Sequence, residues 1–258
     1  MKYQVAYSCI SDVGLLRSDN QDNFVCNGRY LDGRPIRLPM SGTLQPEAPV
    51  AVGVFDGLGG EDCGAVASRL AAAAAAGYAF GHDPVKGVAR YCRDANAEIC
   101  SWVGPLGISA MGTTVAMLVF APREIVLCNI GDSKIFRFDG STLQQISRDH
   151  LAVAAYGVKP PLSQNLGIPP TELEIEPYIA HGAYRAGDLY LICSDGLTDM
   201  VSTQDIARIL AGQSFETAAQ TLLRQALDNG GRDNVTILLC QVRRAPGWLA
   251  GLCRHNKV

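Results

Sequence analysis

The sequence predicts an α+β fold, a four-layer α-β-β-α sandwich in which two antiparallel sheets are flanked by helix pairs. Three observations lead there. Apolar runs rich in β-branched or aromatic residues recur along the chain, and the helix-like segments between them arrive in pairs. A parallel sheet would instead need a helical crossover after each strand. The 258 residues are 48% apolar and 18% charged, a globular composition able to bury a core.

Taken in order, strand-like runs lie at residues 4–9, 23–27 and 50–55, each short, apolar and bounded by polar or glycine-containing segments. Two helix-like segments follow, 62–80 and 84–102; the first carries six consecutive alanines, 71–76, which suit close helix packing. A second strand cluster covers 113–120, 124–130 and 134–138, and a third strand-like run is 188–193. The second helix pair, 203–210 and 214–229, precedes a last strand at 235–242. Two long connections stand apart. Residues 28–49 are rich in glycine and proline and carry Arg29, Arg34 and Arg37, while 151–170 holds a Lys-Pro-Pro and a Pro-Pro pair. Turn chemistry accounts for both compositions, with contact to a substrate as the alternative. No repeat or linker divides the chain, so one domain is expected over 1–243, with 244–258 as an appended tail whose Trp248 and Leu252 pack back on the domain.

A net charge of −3 and a pI near 5.8, with scattered basic residues, exclude a basic field for nucleic acid. The nine cysteines contain no C-x-x-C pair, so they read as free thiols of a reducing compartment and not as a disulfide framework or zinc site. The opening Met1-Lys-Tyr-Gln-Val has no continuous apolar stretch of the signal-peptide kind, and the longest apolar stretch, 70–80, is about half the ~20 residues of a membrane span. A cytoplasmic protein without a membrane partner is expected.

Aspartates at the ends of apolar strands carry the chemistry. Asp56 follows Val-Gly-Val-Phe and precedes Gly57-Leu-Gly59-Gly60; Asp132 ends Ile130-Gly131; Asp195 ends Leu191-Ile-Cys-Ser194; and Asp233 immediately precedes the last strand. Asp-Gly is also a common turn dipeptide, so each motif taken singly has a plain structural explanation. Four carboxylates delivered by rigid strand ends would repel one another unless cations neutralise them. Oxygen-only donors favour magnesium or manganese over zinc or copper, and a bridged pair of such ions can ionise a water and aim it at phosphorus.

The ordered set resembles the metal-dependent protein phosphatases of type 2C, the PPM family, in its bacterial serine/threonine branch. The resemblance covers nearly the whole chain and runs through Arg17-Ser-Asp-Asn20-Gln21-Asp22, Phe55-Asp56-Gly57-Leu58-Gly59-Gly60 and Met111-Gly112-Thr113-Thr114. It continues with Asn129-Ile-Gly131-Asp132-Ser133, Ser147-Arg-Asp149-His150, Leu162-Ser-Gln-Asn-Leu166-Gly167, Ser194-Asp195-Gly196-Leu197-Thr198-Asp199 and Gly231-Arg232-Asp233-Asn234-Val235-Thr236. It implies hydrolysis of phosphoserine and phosphothreonine by direct attack of water activated by two Mn2+ or Mg2+ ions. Asp56 would bridge them, the Gly57 carbonyl would complete one site, and Asp195 and Asp233 would bind the other. Asp132, helped by Asp199, resembles the carboxylate of a third, looser site; Asp22 would hold metal waters or orient Arg17, and Arg17 would grip the phosphate with its fork of donors. The implied partners are phosphoproteins, substrates of a cognate serine/threonine kinase. Two departures stand out: Gln21 where many members carry Glu, and Leu58 where animal members carry a His proposed as general acid. His150 reads better as a segment anchor than as that acid. The competing readings are a metal-dependent hydrolase of small phosphate esters and a non-catalytic pseudophosphatase scaffold.

Overall fold

The computed structural model describes residues 2–34, 39–59, 63–107, 110–122, 124–155 and 158–245. Gly60, Arg37, Trp248, Leu252 and Cys253, singled out in the sequence, lie outside them, as do residues 246–258 of the expected tail. The first half runs through β1 (Tyr3–Asp12), β2 (Asn23–Cys26), β3 (Met40–Leu44), β4 (Val50–Phe55), β5 (Gly57–Leu58), α1 (Cys63–Gly77) and α2 (Pro84–Leu106). Then come β6 (Gly112–Thr113), β7 (Val115–Phe120), β8 (Ile125–Ile130), β9 (Lys134–Phe138), β10 (Leu143–Gln145) and β11 (Tyr178–Gly182). The chain closes with β12 (Leu189–Cys193), α3 (Asp195–Thr198), α4 (Thr203–Gly212), α5 (Phe215–Asp228) and β13 (Val235–Arg244).

These strands form a six-stranded sheet in the order β10-β9-β12-β13-β1-β3 and a five-stranded sheet in the order β11-β8-β7-β4-β2, with every pairing antiparallel. Period-two alternation builds the layers. On β7, Val115, Met117 and Val119 pack among the alanines of α1 and against Tyr91 of α2, while Ala116, Leu118 and Phe120 face the other sheet. On β13, Leu238, Cys240 and Val242 fill the space between the sheets, and Val235, Ile237 and Leu239 pack on α4 and α5 beside Ile206 and Leu222. The expected α-β-β-α sandwich is therefore present. The alanine run supplies the reason for its first interface: Ala67, Ala71, Ala72 and Ala75 are buried on the face of α1 that lies against the sheet. Helix α2 starts where Asp83 accepts a hydrogen bond from the Lys86 amide at 3.1 Å, with Pro84 in its first turn.

The structure refines several expectations. The run 113–120 is broken at Thr114, because Gly112–Thr113 turn away to pair with Gly57–Leu58 while the Thr114 amide donates to Asp56 O at 2.9 Å. The first helix stops at Gly77, and Phe80 instead packs on Tyr78 and Tyr91 from the following turn. The last strand continues to Arg244, opposite Tyr3. The eight cysteines of the described residues are free thiols, and among those residues no helix is long and apolar enough to cross a membrane.

Candidate active site

One end of the sandwich gathers the strand-end carboxylates. Asp56 and Asp132 follow β4 and β8 of the five-stranded sheet, whereas Asp195 follows β12 and Asp233 precedes β13 of the six-stranded sheet. All four line a pocket of about 410 Å³ together with Arg17, Gln21, Gly57 and Lys159. A neighbouring cleft of about 470 Å³ shares Leu58 and Gly59 but brings only Cys100 and Glu172 as titratable side chains, so the chemistry belongs to the carboxylate pocket.

The opening loop is fastened to the pocket by the segment before β13. Gly14 has φ +79°, and a Cβ there would come within 2.3 Å of Asp233 O, so only glycine permits this crossing. Leu15 N donates to Gly231 O at 2.7 Å, and Asn234 Nδ2 donates to Val13 O and Asp19 O while its Oδ1 accepts from Gln21 N at 2.8 Å. These bonds bring Arg17 to Asp233, where Nη2 donates to Oδ2 at 2.8 Å. Ser194 Oγ donates to the buried Asp22 Oδ2 at 2.7 Å and accepts from Thr236 N. Thr114 Oγ1 accepts from Asp56 N and pairs with Ser133 Oγ at 2.7 Å, fixing the turn after β4.

The electrostatics are those of carboxylates short of counter-charge. Burial, followed by the Asp195 and Asp233 charges acting against two hydroxyl hydrogen bonds, pushes Asp22 up to about 7; its Oδ1 is buried without a hydrogen-bond partner. Burial and then Asp22, Asp195, Asp132 and Asp233 hold Asp56 well above the usual carboxylate range. Asp132 is pushed up to about 6 by burial and Asp195. Against them stand Arg17 on Asp233, Lys134 beside Asp132, and Lys159, whose Nζ donates to Asp195 Oδ2 and, at 2.7 Å, to Asp199 Oδ2. Burial disfavours the Lys159 ammonium, yet the two carboxylates hold its pKa above the ordinary lysine value. As placed, no three Asp, Glu, His or Cys side chains of the described residues close around a single ion. In kind, however, the donors fit a hard divalent cation: oxygen only, mutually repelling, with one buried carboxylate oxygen unsatisfied.

Of the residues marked in the sequence, the structure thus brings Arg17, Asp56, Gly57, Asp132, Asp195 and Asp233 to one pocket, with Asp22 beneath it and Asp199 joined through Lys159. Arg17 rests on a carboxylate and not in open pocket space. His150 anchors backbone: its N donates to Gly131 O and its O accepts from Ser163 N, both at 2.9 Å. Asp149 pairs with Lys134, away from the pocket lining. Sequence reasoning missed Lys159, Ser194, Thr114 and Asn234 as site-builders. The last three lie inside motifs that were read, whereas Lys159 had no signal beyond its Lys-Pro-Pro turn.

The sandwich with strand-end carboxylates from both sheets has counterparts among known proteins. A family profile described as Protein phosphatase 2C matches residues 41–230, and the chain belongs to that family. Among relatives, it is 31% identical over 256 residues to the serine/threonine protein phosphatase PstP of Mycobacterium tuberculosis, covering 92% of this chain and 45% of the relative. The chain thus spans about half the length of the curated relatives it matches first. It is 28% identical to the protein phosphatase PhpP of Streptococcus pneumoniae, covering 90% of this chain and 95% of that one. Among solved structures, the catalytic domain of PstP in complex with two manganese ions superposes with a TM-score of 0.76 at 29% identity, covering 93% of this chain and 99% of that one.

Proposed function

We propose that the chain is a metal-dependent serine/threonine protein phosphatase acting on phosphoserine and phosphothreonine of proteins, with its phosphatase domain over residues 1–243. The observation that carries the reading is the convergence of four strand-end aspartates from both sheets in one pocket with an arginine. Manganese or magnesium, two ions to the site, supplies the missing counter-charge; the manganese-bound PstP domain supports this choice. When bound, the metals neutralise the carboxylates and lower the pKa of a water so that it can attack phosphorus at neutral pH. Asp56, Gly57, Asp195 and Asp233 would hold them, with Asp132 and Asp199 flanking the pair and Asp22, which accepts a hydrogen bond from Ser194, supporting it.

The chain's own residues orient and exclude. The Arg17 side chain is 55% exposed at the pocket mouth, so its guanidinium can pass from Asp233 to an arriving phosphate, for which it offers paired donors. Burial pushes the Cys193 thiol, next to Ser194 at the site, up to about 12, which keeps it from acting there as a thiolate nucleophile. This supports direct attack by water without a covalent phosphoenzyme. Cytoplasmic phosphoproteins made by a serine/threonine kinase are the substrates this reading expects.

The test is hydrolysis of a phosphothreonine peptide against nucleotides at equal concentration, with and without manganese. The peptide should be preferred and manganese required. Asp56→Asn and Asp195→Ala should each lower turnover more than ~100-fold with the circular dichroism unchanged, exceeding the usual loss from outer-sphere changes. Turnover within about threefold of wild type for either, at saturating manganese, would sink the assignment.

A further inference from the structure

Lys159 belongs to the 151–170 connection, and its position there is fixed on both sides. Ala152 N donates to Pro161 O at 2.9 Å, Leu151 bridges Leu162, and Ser163 N donates to His150 O. His150 N in turn donates to Gly131 O, the residue before Asp132. The segment bearing the ammonium is therefore tied to the strand end bearing one of the carboxylates it serves. From this seat Nζ contacts Asp195 Oδ2 and Asp199 Oδ2, and its charge acts on Asp132 as well.

We infer that the Lys159 ammonium is a built-in cation standing where a third divalent ion would otherwise bind among Asp132, Asp195 and Asp199. The inference rests on the two-metal reading above. Three features support it. Lys159 Nζ donates to Oδ2 of both Asp195 and Asp199, so one ammonium spans two of the three carboxylates. The neighbouring Lys134 ammonium is committed to Asp149 Oδ2 and, at 3.1 Å, to the Asp132 backbone O, so Lys159 is the ammonium that reaches the Asp195 and Asp199 side chains. A tethered ammonium also competes at an effective concentration in the millimolar range, so an ion with comparably weak affinity does not displace it. The trade is a permanent single charge, independent of metal supply, for a divalent ion that comes and goes.

The experiment counts ions. Metal-stripped wild-type chain and Lys159→Ala are titrated with manganese by calorimetry, with bound and free ion followed by electron paramagnetic resonance. Lys159→Ala should bind one more manganese per chain than wild type, and adding Asp132→Ala should remove that extra ion. If the alanine variant fails to fold by circular dichroism, Lys159→Met, which retains the apolar stem, is titrated instead. An unchanged ion count in the folded variant overturns the inference, whether or not affinity rises. Wild type that binds no manganese overturns the two-metal reading and this inference with it; wild type that binds tightly, with no gain in the variant, overturns the inference alone.

Discussion

At the scale of single residues, the pocket separates groups that carry a burial penalty from groups that relieve one. Asp22 carries one: buried, with Oδ1 unpartnered and its pKa raised to about 7. Asp22→Asn keeps the shape and removes the charge, so at pH 8 the metal-free variant should melt a few degrees above wild type while manganese binds ~10–100-fold more weakly. A lower melting temperature would mean that the carboxylate is not a cost to the metal-free fold. Arg17→Lys keeps charge but loses the fork, and the loss of one charge-assisted hydrogen bond, about 1.5 kcal/mol or more, should raise KM roughly tenfold. Metal titration should be unchanged in that variant. Aspartates were legible at this scale because a carboxylate ending an apolar strand is out of keeping with its neighbours. Lys159 was not, because an ion pair across 36 residues leaves no trace in local pattern.

At the scale of elements, the site depends on how closely α1 approaches the turn after β4. A Cβ on Gly57 would lie 2.2 Å from Gly64 O and 2.6 Å from Gln21 O, all backbone contacts that cannot rotate away. Gly57→Ala should therefore cost about 1–3 kcal/mol of stability through displaced backbone and disturb Asp56 with it. Denaturant unfolding together with turnover checks this, and wild-type stability would show that α1 yields freely. Strands β7, β8 and β13 were read from sequence within two residues because both their faces are buried and their runs are largely apolar, whereas β1 runs three residues past the expected 4–9, through the polar Ser11 and Asp12. Strands β3, β10 and β11 escaped notice. Each is an edge strand with exposed or half-exposed side chains and residues such as Gly42, Gln144 and Gly182, so neither composition nor alternation marks it. Helix α3 is a single turn, too short for any periodicity.

At the scale of the whole molecule, proton and metal binding should oppose each other. Asp22 and Asp132 have folded-state pKa values of about 7 and about 6, above the unfolded value of 3.8. Groups raised in this way favour folding most fully below the unfolded pKa, and that contribution is lost as pH rises through the folded pKa. From about pH 4 to about pH 7 these two groups should thus lower metal-free stability as pH rises, while manganese, which needs deprotonated carboxylates, should restore it increasingly toward pH 7. Melting curves across that range with and without metal test it; a manganese effect independent of pH would separate metal binding from these protons. The layered architecture itself was legible because its signal sums over many strands and four helices, whereas the closure of the pocket depends on pairings that no local stretch encodes.

The pairing of β1 with β13, from Tyr3 opposite Arg244 to Asp12 opposite Val235, bears on biosynthesis. A nascent chain exposes β1 well before β13, the strand that fills the middle of its sheet between β1 and β12, and every other strand of that sheet precedes β13. Until then the six-stranded sheet is two fragments with open edges, and the segment that clamps the opening loop is still missing. Contacts this distant in sequence slow folding and lengthen the exposure of unpaired strands. The sandwich should accordingly close in one late step, with a waiting period in which a chaperone has most to hold.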